Sequence, residues 1–137
     1  MITEAFANQR PIVKLTGFGY TNSPTGTPTA GIVSGTTVYS ASIKNFGAAA
    51  TVLSGTLAAS TNASSGTLSC LPANPLAFTD ASLTPNEEVT FTLTCTYTNL
   101  NDGAVVTADL NASSLTNGLS RDISGSPARI TFTIQAD

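Results

Sequence analysis

Between Glu88 and Thr98 apolar and polar side chains alternate without a break. Val89, Phe91, Leu93, Cys95 and Tyr97 take every second position, and five threonines fill the gaps. A period of two is that of a β-strand with one buried and one wet face. The pattern returns in Ala104, Val106, Ala108, Leu110 and Ala112, and again in Ile130, Phe132 and Ile134. Between the first two runs lies Asn99-Leu100-Asn101-Asp102-Gly103, whose Asp-Gly pair supplies the positive φ of a tight hairpin, so these two strands are expected to pair antiparallel. Upstream, Thr37 to Lys44 directs Tyr39, Ala41 and Ile43 one way, and Ala50 to Leu57 reads as its neighbour across a turn at Asn45-Phe46-Gly47. Thr67 to Leu71 is a shorter strand stopped by Pro72 and Pro75, with a weak strand near Leu76 to Phe78. No segment carries a helical repeat over two turns, and β-branched residues dominate. The expectation is an all-β, immunoglobulin-like antiparallel β-sandwich of about seven strands over residues 32–137.

The first 20 residues form a separate N-terminal strand segment. Ile12, Val13, Leu15, Phe18 and Tyr20 lie in a stretch that reads as a strand, followed by a linker over residues 21–31 rich in Pro, Gly and Thr. Eleven such residues are long for a connection inside a compact sandwich. Two readings stand. The segment is the first strand of its own domain, with the linker crossing between sheets, or it is an exchanged strand that fills an open edge of a neighbouring subunit by β-augmentation.

Composition narrows the function. The chain has 137 residues, of which 9% are charged against about 25% in an average soluble domain. The formal charge is −3, and the five basic residues Arg10, Lys14, Lys44, Arg121 and Arg129 are scattered, with no patch to neutralise a row of phosphates. Nucleic acid is not an expected partner. A polar surface with few charges repels copies of itself weakly, which suits packing in an array, filament or shell. No apolar run approaches the length needed to cross a bilayer, so no membrane insertion is expected. Met1-Ile2-Thr3-Glu4 lacks the basic and apolar regions of a signal peptide: either a signal is removed before this point or there is none.

Little in the chain carries chemistry. Histidine and tryptophan are absent, which removes Cys/His metal sites and Ser/His/Asp catalysis. Cys70 and Cys95 read either as a disulfide, closing a loop of about 25 residues in an oxidising compartment, or as two buried thiols. Glu87 and Glu88 are adjacent and point to opposite faces, while Asp80, Asp102, Asp109 and Asp122 fall in or near different turns, as loop caps do. Asn99, Asn101 and Asp102 fail the spacing of a calcium loop. Asn62-Ala63-Ser64 and Asn111-Ala112-Ser113 match the glycosylation pattern, and Asn62, in a polar loop, is the more accessible of the two. An internal isopeptide bond would have to use Lys14 or Lys44, both at expected outward strand positions. No catalytic residue, metal site or cofactor is expected.

The run Leu83-Thr84-Pro85-Asn86-Glu87-Glu88 leading into the Thr-rich strand with Cys95 and Tyr97, then Asp102-Gly103-Ala104, resembles the Ig-like repeat domains of prokaryotic cell-surface proteins. Val38-Tyr39 through Ile43 to Asn45-Phe46-Gly47 is similar to that family's opening "Val-x-Tyr-x-x-x-hydrophobic-x-Asn-x-Gly" strand and turn. The likeness covers roughly residues 35–113. Cys95 sits about two residues nearer the tyrosine than the family pattern, a shift that keeps it on the same face. The N-terminal segment has no counterpart in the repeat, and one copy stands where the family has tandem arrays. The resemblance implies an extracellular structural or adhesive role. The expectation is therefore a non-enzymatic structural subunit of an extracellular or cell-surface assembly, a pilus-like filament or fibre of copies of itself joined by β-sheet contacts. The rivals are a virion protein, as capsid decoration or tail component, and an adhesive or carbohydrate-binding module, for which only Tyr20, Phe46 and Phe78 offer exposed aromatics.

Overall fold

The computed structural model describes residues 10–21, 32–116 and 118–134. Nine strands form among them: β1 (Val13–Thr21), β2 (Ile32–Asn45), β3 (Thr51–Thr61), β4 (Thr67–Leu71), β5 (Leu76–Leu83), β6 (Glu88–Asn101), β7 (Val105–Thr116), β8 (Leu119–Asp122) and β9 (Ala128–Thr133). They build an immunoglobulin-like sandwich of two antiparallel sheets. The first has the order β1-β2-β6-β4. The second runs β5-β3-β7, with β9 and β8 sharing the far side of β7.

The alternating residues form the core between the sheets. Tyr39, Ala41 and Ile43 of β2, Leu93, Cys95 and Tyr97 of β6, Leu53 and Leu57 of β3, and Val106, Ala108 and Leu110 of β7 are all fully buried. Burying one such leucine contributes about 1.5 to 3 kcal/mol. Along β6 the phase slips once. Thr98 and Asn99 are both exposed and Leu100 is buried again, because the register with β2 shifts between Val33 and Gly35. Asn99 takes a left-handed φ of 58°, a conformation asparagine tolerates, and its N–H donates to Ser34 Oγ at 2.9 Å.

Several expectations need correction. The strands on either side of Asp102-Gly103 are not paired: β6 belongs to the first sheet and β7 to the second. The turn does use a positive φ at Gly103, 84°, but it carries the chain around the sandwich corner. Two strands with one apolar face each satisfy the same sequence pattern whether they lie side by side or face each other across a core. Likewise β3 is not beside β2 but in the opposite sheet. Conversely, β1 and β2 are neighbours in one sheet, so the linker between them, which lies outside the described residues apart from Thr21, makes no crossing between sheets. The strand count also exceeds the expected seven. All four residues of β8 are exposed, so it has no alternation to reveal it, and β5 extends well beyond Phe78. Phe78 is buried rather than free, stacked on Phe91 of the opposite sheet with ring centroids 4.2 Å apart.

Two polar groups are deep in this core. The hydroxyls of Tyr39 and Tyr97 are 2.7 Å apart, and both residues are fully buried, as is Thr37 beside them. Burial pushes the Tyr39 phenol far above its ordinary value, and the bond with Tyr97 adds to the rise; burial raises Tyr97 too, opposed by its bonds with Tyr39 and Thr37. Unfolded tyrosine loses its proton near pH 10. The folded state holds the proton more tightly, so this contribution to stability is whole below about pH 10 and is lost as pH rises beyond it. Thermal melts from neutral pH to about pH 12 should show a fall beginning near pH 10, and Tyr39→Phe should make the fall shallower. Equal slopes in the two proteins would refute the assignment.

Candidate functional site

The segment with the most specific surroundings is the N-terminal strand. Val13, Leu15, Phe18 and Tyr20 of β1 stand opposite Asn45, Ile43, Ala41 and Tyr39 of β2, so their side chains share the inward face. A bulge between Leu15 and Gly17 keeps that phase by leaving Thr16 over. Thr16 Oγ1 then donates to Ser42 O or to Glu88 Oε2, at 3.1 and 2.7 Å. Val13 is buried, Leu15 and Phe18 are half-buried, and Tyr20 remains 39% exposed with its ring 4.9 Å from that of Phe132 on β9. Ile12, just before the strand, is 40% exposed.

The other edge of β1 is held as well. Leu15 N–H donates to Ser124 O at 2.9 Å and Ser124 N–H to Val13 O at 3.1 Å, a short parallel contact with the segment after β8. Gly125 follows with φ 95°, and a Cβ there would press on Leu15 at 3.0 Å. The beginning of β1 lies between its own sheet and the loop from the second sheet.

The Asn45-Phe46-Gly47 turn receives what precedes the strand. Phe46 N–H donates to Ile12 O at 2.7 Å and Ala48 N–H to Arg10 O at 2.9 Å, continuing the β1 ladder past the end of β2. A side chain at Gly47 would collide with the backbone of Arg10 to Ile12. Asn45, fully buried, joins the parts: Oδ1 accepts from Ile12 N–H at 3.2 Å and Gly47 N–H at 2.9 Å, and Nδ2 donates to Ala49 O at 2.8 Å and Leu83 O at 3.0 Å. Its own backbone pairs with Asn86 and Glu87. The sequence places Asn45 in a turn and does not mark it as an anchor. The available signal was its phase: it follows Tyr39, Ala41 and Ile43 at the next inward position, where a polar residue must find partners.

The other sequence candidates disperse. Cys70 and Cys95 are register partners on β4 and β6, bonded Sγ to Sγ at 2.09 Å within one sheet. Asn62 is exposed, and its Oδ1 accepts from Val105 N–H at 2.7 Å. Glu87 Oε1 accepts from Thr84 N–H, and Asp80 Oδ1 from Ser82 N–H, so both cap turns. Asp109 pairs with Arg129 at 2.6 Å on the outer face of the second sheet. Asp122 lies beside Asn111, Ser113, Ser54 and Thr56 in a shallow polar depression of the same sheet. Among the described residues no group of three His, Cys, Asp or Glu side chains is placed to hold a metal.

No family model matches the chain, and no curated protein matches it. Among solved structures it is similar to a conjugate transposon protein (27–141) from Bacteroides vulgatus, at 20% identity over 88% of this chain and 85% of that one, TM-score 0.36. It is also similar to part of β-glucosidase 3B from Thermotoga neapolitana in complex with glucose, at 15% identity over 90% of this chain but 17% of the enzyme, TM-score 0.37. At these values neither likeness bears on function.

Proposed function

We propose that the chain is a non-enzymatic structural subunit of an extracellular surface assembly, a filament or fibre whose copies join by β-sheet contacts, and that β1 is the segment passed between copies. The observation that carries this reading is the slot around β1. Apart from β1 and its lead, the groups that hold it, on β2, the Asn45–Ala48 turn and Ser124, all belong to the rest of the domain. They serve a neighbour's strand as well as the chain's own. Thr21 pairs with Val38, so Ile32 lies about 20 Å farther along β2, whereas ten residues can extend over about 35 Å. That surplus gives reach, and exchange of an identical element is a low-cost route to oligomers.

The test is to cut residues 22–31 to about seven, the number needed to span from Thr21 to Ile32, which would tie β1 to its own β2. Light scattering and negative-stain microscopy should find polymers of the full chain and a folded monomer of the shortened one. A chain beginning at Gly31 should not polymerise, and should bind an added peptide spanning residues 10–21. If the full chain is itself monomeric over a wide concentration range, or the shortened chain polymerises equally, β1 is not the assembly element.

A further inference from the structure

Lys14 and Lys44 are far apart in sequence but are direct register partners across β1 and β2. Like charges directly opposite on neighbouring strands oppose folding. Here both ammonium groups converge on one ring: Lys44 Nζ is 5.1 Å and Lys14 Nζ 5.6 Å from the centroid of Phe46, which is 47% exposed. The ring's negative face offsets some of the repulsion and holds the two cations at one place. Neither lysine is in a close ion pair with a described carboxylate, the ion pair among described residues being Arg129 with Asp109. Glu88, the register partner of Lys44 on β6, instead accepts from Thr16. Two of the chain's five basic residues thus meet beside an aromatic ring, with the one carboxylate of Glu88 in the neighbouring row, so the cluster keeps a net positive charge.

We propose that Lys14, Lys44 and Phe46 form a carboxylate-binding site for an acidic polysaccharide, a linear polymer of uronate-type sugars. The surroundings favour a sugar polymer over other anions. Beyond the Lys44–Glu88 row the outer positions of β2 and β6 are Ser42 opposite Thr90, Ser40 opposite Thr92 and Val38 opposite Thr94, an uncharged face in which five of the six side chains carry a hydroxyl. Rows recur about every 6.7 Å along the strands, presenting donors and acceptors in series to a hydroxylated chain. A protein interface would need a contiguous apolar centre, and among the described residues of the lead Ile12 is the exposed large apolar neighbour of Phe46. A nucleic acid would need a longer row of cations. The site holds whether β1 is the chain's own or a neighbour's, although exchange would make Lys14 the neighbour's contribution.

Binding of polygalacturonate to the full chain is the test, followed by calorimetry with neutral dextran as control. Polygalacturonate should bind, dextran should not, and raising salt from about 50 to about 500 mM should weaken binding. The Lys14→Ala/Lys44→Ala double variant should lose about tenfold or more in affinity while melting no lower than the parent, since it relieves a repulsion. Phe46→Ala should lose part of the affinity. Undiminished binding by the double variant overturns the proposal, as does absence of polygalacturonate binding. Lysine-dependent binding to phosphatidylglycerol vesicles alone would reassign the site to lipid, and lysine-dependent self-association without glycan binding would reassign it to a contact between copies.

Discussion

Asn45→Ala is expected to lower stability by about 3 to 5 kcal/mol, a large part of the roughly 5 to 15 kcal/mol that a domain of this kind has. The side chain makes four hydrogen bonds from a fully buried position. Alanine would leave the N–H groups of Ile12 and Gly47 and the carbonyls of Ala49 and Leu83 without those partners, and each buried orphan costs about 1 to 3 kcal/mol unless water reaches it. The damage should be concentrated. Ile12 belongs to the lead of β1, Gly47 and Ala49 to the turn before β3, and Leu83 to the end of β5. Urea unfolding should show a lower midpoint, and hydrogen exchange should speed first at Val13 to Leu15. A loss below about 1 kcal/mol would mean that Asn45 does not join these parts.

Removing the disulfide is expected to have the next largest effect. Cys70→Ala/Cys95→Ala should cost roughly 3 kcal/mol by the chain-entropy account of a 25-residue loop. The loss should also have a location. β4 is a five-residue edge strand whose ladder partner is β6 alone, so the bond holds it where packing is thin. Without the bond, amides of Thr67 to Leu71 should exchange far faster than those of β2, and the edge of β6 should become available for intermolecular pairing. Unchanged protection of β4 would show that its five ladder positions hold it unaided.

Side-chain phase was legible in the chain wherever apolar residues alternated. The inward residues of β6, β7 and β9 were identifiable one by one, because a strand with a wet face must alternate. Partnership was not legible. Whether Val89 to Tyr97 lies beside Ala104 to Ala112 or opposite them depends on how the sheets stack, a non-local matter that period two leaves open. The Asp102-Gly103 turn serves either arrangement. β8 was invisible because Leu119 to Asp122 are all exposed, and Phe78 passed for a free aromatic because β5 was read too short. The lysine pair was hidden for the same reason as the strand order: Lys14 and Lys44 meet only through the β1–β2 register, in which Thr16 is skipped.

From β2 to β7 every successive strand lies in the other sheet, so none of these strands pairs with its predecessor. Tyr39 must wait for Leu93 and Leu57 for Leu110. Loop-closure entropy has to be overcome before such distant pairings return anything, and folds of this kind form in milliseconds to seconds rather than microseconds. A chain threaded out N-terminus first has β1 against β2 as its early local ladder, and neither sheet can be completed until residues beyond 100 have emerged. The interval leaves hydrogen-bonding edges uncovered, so the same topology that gives a well-interlocked domain also gives a long period in which a strand from another copy competes for each place.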